Sequence, residues 1–136
     1  MIPSRLPREV RKLLETELDS LEKLELIRYL RRAKYAVARH EIVRALHLDR
    51  EAADALIDEL ARGELVETTA DGGAVQLGTA ATGATCDDLM RIYDEDRLLI
   101  VSVMSSLAVA RIRRMAARTF GEALASKKKP SNDEGK

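Results

Sequence analysis

Cysteine is almost absent, since Cys86 stands alone. One thiol cannot close an internal disulfide or build a Cys-rich zinc site. A lone thiol suits a reducing compartment, so a cytoplasmic location is expected. Tryptophan is missing, and three tyrosines and one phenylalanine are the only aromatics. That is too few for a platform that stacks single-stranded bases. An excess of one charge is missing too, because 23 Lys and Arg balance 23 Asp and Glu. A nucleic-acid face must then come from local clustering. Long apolar runs are also lacking. The most apolar charge-free stretch, residues 98–110, falls short of the roughly 20 residues that cross a bilayer. The segment holding Pro3, Arg5, Pro7 and Arg8 has no apolar run either, so neither a signal peptide nor a membrane role is expected.

The signatures of catalysis are missing as well. There is no Gly-rich phosphate loop, no nucleophile elbow and no carboxylate pair beside a histidine. Ser102, Ser105 and Ser106 lie in an apolar stretch without a neighbouring base, which fits helix packing better than nucleophilic catalysis. His40 and His47 have no matching Cys/His set for zinc. Asp94, Glu95 and Asp96 are consecutive, so on a helix they point in different directions and suit a solvated turn, with Asp94 or Asp96 pairing Arg97. No enzyme activity, metal or cofactor is expected. Cys86 near a helix start has two readings, a redox-sensing thiol or a plain buried cysteine, and the missing second cysteine favours the latter.

What is present is helical patterning. Residues 5–18 place Val10, Leu13, Leu14 and Leu18 on one face, with Pro7 suited to a first turn. Asp19 and Glu22 form a capping-box pattern opening a second helix, along which Leu21, Leu24, Ile27 and Leu30 recur. A short helix follows over residues 39–46. His47 and Leu48 make a turn, and Asp49 is a good N-cap for a fourth helix running to Arg62. Gly63 is placed to end that helix in the left-handed conformation. Residues 64–68 and 74–77 then read as strands joined by Asp71-Gly72-Gly73, a two-stranded hairpin. The small residues 79–86 read as a linker. One long helix is expected over residues 87–125, opened by Thr85, and the Lys- and Ser-rich residues 126–136 read as a disordered tail.

The segment EIVRALHLDREAADALIDELARGELVET resembles the winged helix-turn-helix of MarR-like bacterial regulators. On that pattern Ile42, Leu46, Leu48, Ala53, Ile57, Leu60, Leu65 and Val66 take core positions. His47 stands where glycine is common, and histidine tolerates positive φ better than most residues. The resemblance implies a mainly α fold: an N-terminal helix (1–18), a winged helix-turn-helix domain with a small β-hairpin wing (19–78), a linker (79–86) and a long C-terminal dimerisation helix (87–125). Leu99, Val103, Leu107 and Met115 trace the expected dimer stripe. The range 98–110 is apolar nearly all round, so it must be covered on most sides, by a second copy or by the N-terminal helices.

The same resemblance implies transcription regulation through duplex DNA, with the second helix of the motif in the major groove. The candidate DNA-binding residues are Arg39, His40, Arg44, Arg50, Glu51 and Asp54. Charge opposes that expectation. Residues 35–78 hold four arginines against nine carboxylates, a net −5. Glu51, Asp54 and Asp58 on the second helix would face a polyanion and repel it unless paired. The wing tip, residues 70–73, has no cation. Two functions are therefore expected: a dimeric DNA-binding regulator, or a winged-helix protein–protein interaction module that has lost its DNA-reading surface. The operator, target genes, ligand and direction of regulation are not encoded in any motif.

Overall fold

The structure, a computed structural model, describes the backbone of residues 6–134 and the side chains of residues 6–125. It divides into two units, Met1–Met104 and Ser105–Lys136. Among the described residues it is mainly helical, with six α-helices and one small three-stranded antiparallel sheet. No helix among them is long and apolar enough to cross a membrane.

The first unit opens with α1 (Arg8–Thr16), for which Pro7 is the N-cap. Helix α2 (Leu21–Ala33) is capped by Ser20, whose hydroxyl accepts from the Lys23 amide at 3.3 Å. The cap falls one residue after the expected Asp19, because the Asp19 carboxylate is drawn to the Lys23 ammonium at 2.9 Å instead. Leu24, Leu26, Ile27 and Leu30 of α2 are buried, whereas Leu21 is exposed. Strand β1 (Val37–Ala38) leads into α3 (Arg39–Leu46), which ends at His47 with φ 57°. The glycine-like position is thus filled by a histidine in the left-handed region. Asp49 caps α4 (Arg50–Arg62), accepting from the Ala52 amide at 2.7 Å.

Beyond α4 the chain departs from the expected glycine stop. Gly63 has φ −90°, and the left-handed residue is Glu64, with φ 63°. Strands β2 (Val66–Thr68) and β3 (Ala74–Leu77) form the hairpin, with Val66 opposite Leu77 and Thr68 opposite Val75. The wing is not two-stranded as expected. β1 pairs with β3, setting Val37 against Val75 and Ala38 against Ala74. Two residues are too short to show an alternating pattern in a sequence, but they anchor the wing to the start of α3.

The expected linker is partly ordered. Residues Thr79–Ala81 make a 3₁₀ turn with Ala81 buried, and α5 (Ala84–Glu95) starts at once, with Gly83 rather than Thr85 as N-cap. The single long helix is two. Asp96 breaks it, and its carboxylate accepts from the Leu99 amide at 3.2 Å, starting α6 (Arg97–Glu134). A short polar side chain that bonds nearby backbone competes with helix continuation. Helix α6 also passes the expected boundary at Ala125. The side chains of the tail lie outside the described residues. The core of the first unit joins Leu14, Leu18, Ile27, Ile42, Ile57, Leu60, Leu65 and Leu89. Each such burial contributes about 2 kcal/mol of transfer free energy.

In the second unit α6 carries an exposed apolar strip. Ile112, Met115, Ala116, Thr119, Phe120 and Ala123 line one shallow face, and their spacing is that of a single helical stripe.

Candidate nucleic-acid interface

The start of α3, the first turns of α4 and the wing turn meet around a cleft of about 520 Å³ lined by Arg39, His40, Val43, Arg50, Asp54, Asp71, Gly72 and Gly73. The wing turn is closed by bonds of its own. Gly72 takes φ 76°, which glycine adopts without strain. The Asp71 carboxylate accepts from the Gly73 amide at 3.0 Å and the Thr69 hydroxyl at 2.8 Å. These donors, the Gly73 amide first, hold the Asp71 carboxyl below its ordinary pKa.

Arg39 is spent inside this arrangement. Its Nη1 donates to Asp54 Oδ1 at 2.7 Å and its Nε to the Gly72 carbonyl at 2.6 Å. Its backbone amide donates to the Gly73 carbonyl at 3.1 Å. His40 and Arg50 are exposed on the cleft, and neither is ion-paired among the described residues. Arg44 lines a different cleft, with Tyr29, Tyr35, Glu41 and Ala45. The structure therefore gathers Arg39, His40, Arg50 and Asp54 and leaves Arg44 apart. Glu51 is exposed in the first turn of α4, where a carboxylate favours the positive helix end.

The acidity of α4 takes on a different meaning residue by residue. Asp49 caps the helix and Asp54 holds Arg39. Glu59 pairs with Lys23 at 2.8 Å and ties α4 to α2. Asp58 is exposed with no ion pair among the described residues. Most of these carboxylates thus serve the fold, and a count of charges along the sequence overstates the repulsion they offer to a polyanion.

A second polar cluster escaped sequence reasoning. The buried Tyr93 of α5 donates its hydroxyl to Glu25 of α2. Arg97 and Arg28 lie over its ring at 4.9 and 5.9 Å from the centroid, within cation–π range. Arg28 pairs with Asp94 at 2.8 Å, Arg97 with Glu25 at 3.3 Å, and Arg31 with Asp87 at 2.7 Å. Asp94 and Arg97 therefore reach across to α2 rather than to each other. Burial, and then the bond to Glu25, push the Tyr93 hydroxyl up to about 12. Alternating charge on α2 was the available signal, but it named no partner.

Of the expected dimer residues, Leu99, Val103 and Leu107 are buried within one chain, while Met115 is 57% exposed. Cys86 is buried, and burial pushes its thiol above the ordinary range, against the pull of Arg31. A reactive thiolate needs the opposite shift. Among the described residues no group of three or more His, Cys, Asp or Glu is arranged to hold a metal ion.

Two packed helices joined by a turn, a preceding α2 and a three-stranded wing define a winged helix-turn-helix. No protein-family description matches the chain, and no curated protein matches its sequence. Among solved structures, the fold is similar to MepR, a transcription regulator of the Staphylococcus aureus multidrug efflux pump MepA. That likeness has a TM-score of 0.50 at 18% identity and covers 90% of this chain and 94% of that one. A point mutant of S. aureus MepR gives a TM-score of 0.51 at 18% identity, covering 90% and 93%. At 18% identity these likenesses speak for the fold alone, a winged helix-turn-helix.

Proposed function

We propose that this chain is a dimeric winged-helix transcription regulator that binds duplex DNA in the cytoplasm. The observation that carries the reading is the cleft face. Arg50 at the N-terminus of α4 and His40 at the start of α3 are open beside a wing turn whose position is fixed. Helix N-termini and exposed arginines suit phosphate contact, and the first turns of α4 suit base edges. The likeness to MepR supports the same reading at the level of fold. Dimerisation through the exposed strip of α6 would supply the second half of a symmetric site.

Fluorescence titration of random-sequence duplex at low salt tests the proposal. Binding at or below tens of micromolar is expected, because sequence-independent attraction alone reaches about 10⁻⁴–10⁻⁶ M. Silence there removes DNA as the partner. It would return the function to the alternative, a protein-binding module using the acidic outer face of α4. That alternative has few free carboxylates to work with, chiefly Glu51 and Asp58.

A further inference from the structure

We propose that Arg39 and Asp54 are positioning residues that lock the wing turn onto α4, rather than residues that touch DNA. This rests on the reading of α3, α4 and wing as the nucleic-acid face and assigns it a specific internal part. Arg39 makes three bonds to two other elements. Its amide and Nε take the successive carbonyls of Gly73 and Gly72, and its Nη1 takes Asp54 on α4. A guanidinium can do this because its donors form a rigid planar fork, whereas an ammonium is a compact point charge on a flexible stem. The side chain is only 23% exposed, so little of it remains for a phosphate.

Asp54 has the complementary part. Alone, a carboxylate on the DNA-facing helix would repel phosphates. Bonded to Arg39 it aims the fork at the wing carbonyls, and its charge is matched within the fold. The wing turn closes on itself through Thr69, Asp71 and Gly72, but those bonds fix its shape and not its place. Its place relative to α4 is set by Arg39 and by the short β1–β3 pairing. The open side chains of His40 and Arg50 then carry the phosphate contacts of the cleft.

Lysine at position 39 separates the two roles, since it keeps the charge but not the fork. In the free protein, Arg39→Lys and Asp54→Ala are each expected to speed hydrogen exchange of the backbone amide at position 39 about tenfold or more. Nitrogen relaxation should show new mobility at Gly72 and Gly73, while the amides of Leu24 to Leu30 in α2 are unchanged. Unaltered exchange and relaxation in both variants would overturn the clamp, whatever the DNA result. In duplex titrations across a salt series, each variant should bind about tenfold more weakly with the slope of log K against log salt preserved. The double variant should be no weaker than either single one. If instead Arg39→Gln lowers that slope by about 0.9, the loss of one phosphate contact, and Asp54→Ala tightens binding, Arg39 is a DNA contact and the clamp is wrong. If wild-type protein ignores duplex while the exchange result holds, the clamp stands and the DNA reading falls.

Discussion

Arg39 and Asp54 lie fifteen positions apart in the chain and meet at 2.7 Å. Neither residue type nor spacing announces that pair, which is why a charge count makes α4 look hostile to DNA. Gly78 is another residue whose reason is tertiary. A Cβ there would come within 2.3 Å of the Glu64 carbonyl oxygen and 2.9 Å of its carbon, both backbone atoms. Gly78→Ala is expected to cost about 2 kcal/mol or more. That is a fall of about 5 °C or more in thermal midpoint for a domain of this size, and an unchanged midpoint would contradict the packing described. Tyr93 offers a test by pH. Its hydroxyl is raised to about 12 in the fold, against roughly 10 in an unfolded chain. The folded state therefore holds its proton more tightly. The stabilisation is complete below about pH 10 and is lost as pH climbs toward 12. Denaturant midpoints taken from pH 9 to 11 should fall more steeply for wild type than for Tyr93→Phe, which has no proton to lose there. Parallel slopes would remove Tyr93 from the account.

Two helix ends around the turn between α3 and α4 were legible, because their chemistry is local. Asp49 acts as the N-cap that its position suggested, and His47 takes the positive φ that its place in the turn requires. Asp49→Ala should cost about 1 kcal/mol through the α4 N-terminus, measurable by chemical denaturation, with a loss below a few tenths counting against the cap. Stops set by longer-range contacts were less legible. The left-handed turn falls on Glu64 because Leu65 and Gly78 must pair, with the Gly78 amide 2.8 Å from the Leu65 carbonyl, and not because Gly63 is flexible. β1 is visible only through its partner β3. The break at Asp96 was hidden because residues 87–125 carry an apolar periodicity on both sides of it, and a capping side chain inside a periodic run resembles an ordinary surface aspartate. For the candidate interface, α3, α4 and the hairpin were readable as elements, whereas the split between Arg39, held internally, and Arg50, left open, required the fold.

For the whole molecule, a net charge of zero conceals a division. Residues 1–104 hold fifteen cations and twenty carboxylates, a net −5, and residues 105–136 hold eight and three, a net +5. The positive share includes Arg111, Arg113, Arg114 and Arg118 on α6, the helix whose other residues form the apolar strip of Ile112, Met115 and Phe120. Exposed strips of this kind mark association surfaces. Sedimentation at micromolar concentration should therefore show a dimer, and Met115→Glu, altering a residue that is 57% exposed in one chain, should yield a folded monomer. A wild-type monomer would exclude the symmetric arrangement. The account stands most directly on the duplex titration of wild type against Arg50→Ala over a range of salt. It predicts wild-type binding at tens of micromolar or tighter at low salt, and a slope of log K against log salt that is shallower by about 0.9 per subunit in the variant. No binding at low salt, or identical slopes for the two proteins, would contradict it.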